Sequence, residues 1–199
     1  MYRTATKRKM AAAAASLCLG AAACALAAAP AGAASSTSAA QAALTGGSLG
    51  FVSSPSAVNF SGTLNGQSQT LSATQTLDIG DATGSGAGWN LTASGTQFSS
   101  TTPAATLATT AVTMTSAPTV ACDAGTNGTC TTATTNVSYA GPYTLPMGAS
   151  PTATKVFNAT ANTGMGNQTA TATWKLAVPA NAVAATYNST WTFTLSTAP

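Results

Sequence analysis

The sequence predicts an all-β protein: a single antiparallel β-sandwich or barrel-like domain that follows an N-terminal signal peptide. Three observations lead there. Short runs alternate apolar and polar residues, as half-buried strands do. Threonine recurs throughout, and its branched Cβ favours strands. Nine Pro and eighteen Gly punctuate the chain, and no amphipathic helix follows the signal. Several short strands with turns about every ten residues fit a sandwich or barrel.

Residues 1–33 read as a secretory signal peptide. Arg3, Lys7, Arg8 and Lys9 form a basic start, and Met10 to Ala29 is an apolar run of mostly Ala and Leu. Pro30 then breaks the helix, and Ala31-Gly32-Ala33 supplies a small-residue cleavage site ending at Ala33. The run is long enough to span a bilayer, but its alanine content and the cleavage site favour removal over a retained anchor. No transmembrane segment is then expected in the mature chain. Cys24 follows Ala21-Ala22-Ala23, which lacks the Leu of a lipobox.

Export changes the charge balance. Of six Lys and Arg, only Lys155 and Lys175 lie beyond the signal; the acids are Asp78, Asp81 and Asp123. The mature side chains sum to 2 − 3 = −1. Without a basic cluster there is no footprint for nucleic acid or anionic lipid. Cys122 and Cys130 flank a turn sequence, and in an oxidising compartment they read as a disulfide. Two Cys without His do not complete a zinc shell.

Residues 34–46 form a small, polar, flexible leader, and 47–199 the β domain. In the first part of that domain, Leu49 and Phe51, then Val58, Phe60 and Leu64, alternate with polar residues. Over 70–79, Leu71, Ala73, Gln75 and Leu77 share one face; 80–88 is a glycine-rich turn; Trp89, Leu91 and Ala93 begin the next strand. Further strands are read over 106–115, 136–140, 155–160, 170–178 and 186–195.

The tryptophans are the strongest local features. Trp89-Asn90-Leu91 and Trp174-Lys175-Leu176 both read W-x-L, and Trp191, Phe193 and Leu195 share one strand face. Each large apolar side chain is either core filler or part of an open face that stacks on sugar rings or on a partner. The sequence leaves open which tryptophan is exposed.

The run from Thr76 through Asp78, Asp81 and Thr83 to Trp89-Asn90-Leu91 resembles the first half of the WxL domain of Gram-positive surface proteins, as does Leu49-Gly50-Phe51 upstream. The closing block, Leu176 to Ala180 and Ala185 to Pro199, is similar to that family's C-terminal block. Two departures stand out. Thr83 occupies the position where the family usually carries Arg. The second W-x-L aligns with Phe193-Thr194-Leu195, so Phe replaces Trp, and Trp191 lies two residues earlier. The resemblance implies a secreted protein bound non-covalently to peptidoglycan or another wall polysaccharide at the cell surface. It also implies partnership with other exported surface proteins in assembly or adhesion. Candidate wall- or ligand-binding residues are Trp89, Leu91, Trp191, Phe193 and Leu195.

Catalysis is not expected. There is no His and no Glu, so neither a Ser-His-Asp nor a Cys-His arrangement is possible. Asp78 and Asp81, read as turn acids, point to opposite faces of an extended strand. A calcium site on them is the weaker reading, and no cofactor or metal is expected. Leu145-Pro146-Met147-Gly148 lacks the following apolar tail of a sortase signal. Two alternatives to wall attachment remain: a soluble carbohydrate-binding module with exposed Trp side chains, and a self-assembling structural surface subunit.

Overall fold

The computed structural model describes residues 35–123 and 129–197. The signal peptide and its cleavage residue Ala33 lie outside the described residues. Among the described residues there is no helix, and the eleven strands pair antiparallel throughout. Among the described residues no helix is long and apolar enough to cross a membrane.

The backbone of the fold is one hairpin-like pair of distant strands. β2 (Gln69–Asp81) and β10 (Gly166–Val178) are each thirteen residues long and pair along their whole length, from Gly166↔Asp81 to Val178↔Gln69. Alternation sorts their side chains as the sequence predicts. Leu77 and Ile79 of β2, with Ala170, Ala172, Trp174 and Leu176 of β10, face the core. The Thr-rich positions between them face solvent.

β1 (Leu49–Phe51) flanks β2. β6 (Val112–Met114) and β7 (Thr119–Cys122) lie along successive parts of β10, and β8 (Tyr143–Thr144) flanks β6. A second sheet has the order β11-β3-β9: β3 (Trp89–Gly95) sits between β9 (Thr154–Ala159) and β11 (Trp191–Thr197). β4 (Ser99–Thr101) and β5 (Ala104–Thr106) form a small hairpin. Neither main sheet closes into a barrel; the two inner faces share one apolar core.

Trp174 and Trp191 join the sheets. Their rings meet edge to face, with centroids 5.0 Å apart and planes at 77°. Trp174 is buried, and its Nε1 donates to Gln75 Oε1 at 2.9 Å. Gln75 in turn donates through Nε2 to the Ser56 carbonyl at 3.0 Å. A buried amide thus satisfies the indole N–H and pins the 52–60 segment to the core.

Several stretches that alternate in sequence are not strands. Only Leu49–Phe51 is strand in the first stretch. Beyond it the chain follows β2 loosely, through Val52 N–H to the Asp78 carbonyl and Ser56 N–H to the Thr76 carbonyl. Pro55 has no N–H to extend a ladder. Around Val137 and Tyr139 a buried side chain replaces the ladder: Asn158 Oδ1 accepts from Thr135 Oγ1 and from the Asn136 N–H. The 106–115 strand shortens to Val112–Met114, because the Ala111 N–H bonds the Ala108 carbonyl in a tight turn. The Cys122–Cys130 disulfide is present.

The tryptophan contact and the half-buried tyrosines each lead to an expected outcome. Replacing Trp174 by Ala removes the central ring and is expected to cost about 3–5 kcal/mol. Trp174→Phe keeps most of the packing but orphans Gln75 Oε1, costing about 1–3 kcal/mol in urea melts. For the tyrosines the readout is pH. Burial pushes the Tyr139 hydroxyl up to about 12, and its neighbour Tyr143 is raised for the same reason. A raised tyrosine pKa favours the neutral form in the folded state. Stability from this source is therefore complete below the unfolded value near 10 and is lost as pH climbs toward 12. Melting temperatures should fall steeply only above about pH 10.

Candidate functional site

Seven-residue β3 and β11 are much shorter than thirteen-residue β2 and β10. The inner face of the longer sheet therefore continues past its partner, and irregular chain covers the overhang. Residues 57–64 and 182–188 form two flaps over Leu71, Leu176 and Val178. A cavity of about 730 Å³ lies between the flaps. A second, of about 610 Å³, lies where β11 faces the 55–59 segment and Phe51. Val58, Asn59, Phe98, Tyr187 and Asn188 line both, so the two chambers adjoin and are described together as one cleft.

Aromatic rings run along the cleft. Trp191 lies 6.4 Å from Phe98 and 6.4 Å from Phe193, centroid to centroid, and Phe98 lies 6.1 Å from Phe60. Trp191 Nε1 donates to Ser189 Oγ at 3.0 Å, and the Tyr187 hydroxyl donates to the Val183 carbonyl at 2.9 Å. Asn59, Asn188 and Ser56 supply polar groups at the rim. No lining residue is charged. Lys175 sits opposite Ser72 and Thr113 on the outer face of the large sheet, and Lys155 opposite Thr92 on the outer face of the small one.

β11 adds backbone groups. The Thr96 N–H bonds the Thr190 carbonyl, so even-numbered residues of β11 point their backbone groups at β3. The N–H and C=O groups of Trp191, Phe193 and Leu195 therefore point to the other edge. Among the described residues β3 is the only strand that pairs with β11.

The candidate residues fall into two groups. Trp89 and Leu91 are 0% exposed. The Trp89 ring packs on Phe157 at 5.7 Å, and its Nε1 donates to the Gly164 carbonyl at 3.0 Å. Gly164 has φ +74°, and a Cβ there would lie 2.6 Å from that Nε1. Trp191, Phe193 and Leu195 are half-buried on the inner face of β11, and Trp191 and Phe193 line the cleft. Phe98, Tyr187 and Asn59 are not among the binding candidates that the sequence suggests. Asn59 and Tyr187 fall in stretches that the alternation reads as strand, 58–64 and 186–195, and Phe98 falls in none; no local signal brings the three together.

Asp81 is buried at the end of β2, and Asp78 is half-buried on the opposite face. Asp81 organises the glycine-rich turn. Its Oδ1 accepts from the Thr83 N–H at 3.0 Å and from Thr83 Oγ1 at 2.7 Å. Ser85 N–H donates to Thr83 Oγ1, and Ala87 N–H to Ser85 Oγ. Each oxygen caps the amide two residues on, while Gly84, Gly86 and Gly88 take φ of +65°, +65° and +80° between them. Among the described residues no group of acidic, Cys or His side chains forms a metal cluster.

Residues 31–199 match the family described as the WxL domain, surface cell wall-binding. No curated protein and no solved structure matches the chain.

Thr83 is a link in the turn's ladder of oxygens. Thr83→Val removes the hydroxyl that Asp81 and Ser85 share. It is expected to lower stability by about 1–2 kcal/mol in thermal or urea melts.

Proposed function

The chain belongs to the WxL family of surface, cell wall-binding domains, and from that premise we propose that it holds wall polysaccharide in the cleft between β11 and the 55–64 segment. The protein is a cell-surface, wall-associated one, and in this reading the cleft is where it grips. The observation that carries the reading is the cleft's lining: half-buried aromatic rings beside rim amides and hydroxyls, with no charge. Aromatic faces stack on the C–H faces of sugar rings, and amides pair with hydroxyls. Peptidoglycan is the expected source of that polysaccharide. The role is binding rather than catalysis, since His and Glu are missing from the chain and the cleft lining holds no Asp.

The signal is then cleaved after Ala33, and the mature chain is retained outside the membrane by the wall. Trp89 and Leu91 build the fold, and Trp191 and Phe193 shape the cleft. Surface assembly or adhesion is a second role, favoured by the edge of β11 that no strand among the described residues pairs with, although β1 packs close to it. An extended segment of another exported protein can add to such an edge. A sedimentation profile showing only monomer in mixtures with candidate partners would count against it.

Pull-down with purified walls tests the first reading. Tyr187→Ala and Phe193→Ala are each expected to weaken binding by roughly 2- to 10-fold. Thr194→Ala, on the outer face of β11, should bind as the unsubstituted protein does. Equal retention of all three variants, with unchanged melting temperatures, would remove the cleft from the mechanism.

A further inference from the structure

The cleft is longer than a pocket for one sugar, and its shape bears on how a polymer enters it. The chamber beside β11 and the chamber between the flaps lie side by side and share Asn59, Phe98 and Tyr187 in their walls. Both are open to solvent. Exposed Thr192 lies on the rim at one end, and Leu64 and Val183, 40% and 44% exposed, at the other. Among the lining residues no charged group stands ready to fix a terminal carboxylate or phosphate. Desolvating an anionic polymer there would go uncompensated. Hydrogen-bonding groups recur along the trough: the outward backbone of β11, then the rim amides, then hydroxyls of the flaps.

Building on the wall-polysaccharide reading, the geometry points to an internal, uncharged stretch of a linear glycan, several sugar units long, lying along both chambers. The aromatic chamber beside β11 takes the first units. The flap chamber, floored by Leu71, Leu176 and Val178, takes the next against the C–H faces of their rings. Chain ends are not recognised. Phosphate-bearing polymers are excluded, because nothing in the trough offsets their charge.

Uncharged β-1,4-linked N-acetylglucosamine oligomers, sorted by length, are the probe for calorimetric titration of the mature protein. Affinity is expected to rise at least about tenfold between two units and about six, then level off. Reducing the terminal sugar should change nothing. Raising salt to about 0.5 M should leave the affinity within about twofold, since no ion pair forms. Val183→Asp and Leu64→Asp, both at exposed positions, should lower affinity for long strands at least about fivefold while leaving the disaccharide unchanged.

Affinity that is equal for disaccharide and long strands, or lost on reducing the chain end, would overturn the proposal in favour of an end-binding pocket. So would a steep salt dependence, or flap variants that bind long strands normally. These outcomes are separate from failure of the wall-polysaccharide reading itself. That failure would appear as no glycan of any length binding, with wall pull-down insensitive to Tyr187→Ala and Phe193→Ala.

Discussion

The thirteen-residue pairing of β2 with β10 is the constraint on which the rest of the domain depends. It presents an apolar face that the three-stranded sheet is too short to cover. One end of that face meets β3 and β11 and becomes the conventional core, with Trp174 against Trp191 as the contact between layers. The other end, at Leu71, Leu176 and Val178, is covered only by irregular chain. Chain without a ladder cannot seal a sheet face as another sheet does. The cleft is therefore a consequence of unequal strand lengths as much as of any single residue.

Gln75 shows how closely fold and cleft are coupled. Its side chain lies on the long strand, caps the Trp174 indole, and holds the Ser56 carbonyl of the cleft wall. One buried amide thereby sets both the interior and the position of one rim. Losing it would loosen the cleft wall through the same bonds that hold the core.

Much of the fold was legible because period-two alternation is strong where one face of a strand is buried. The central strands, the all-β class, the glycine-rich turn and the disulfide all rest on local signals: Leu71 to Leu77, Ala172 to Val178, and Cys122 with Cys130 beside turn residues. What failed to read were segments such as 57–64 and 136–140. They alternate like strands, but in and beside them the chain spends hydrogen bonds on side chains, as at Asn158 and Ser56. A sequence does not show which partner an amide will find when a distant side chain competes for it. The cleft was only half legible for the same reason. Trp191 and Phe193 stood out as a strand face, while Phe98, Tyr187 and Asn59 come together only through tertiary packing.

Trp89 carries a different lesson. Its ring is locked between Phe157 and the Gly164 turn, out of reach of any ligand. The tryptophan of the signature thus marks where the domain closes. Two chains can share Trp89 and Gly164, and so share this closure, while differing freely at Tyr187, Asn59 or Val183. The signature identifies the architecture. In the proposed cleft, preference among wall polymers would instead be set by the loops at 57–64 and 182–188, which take no part in closing the domain around Trp89.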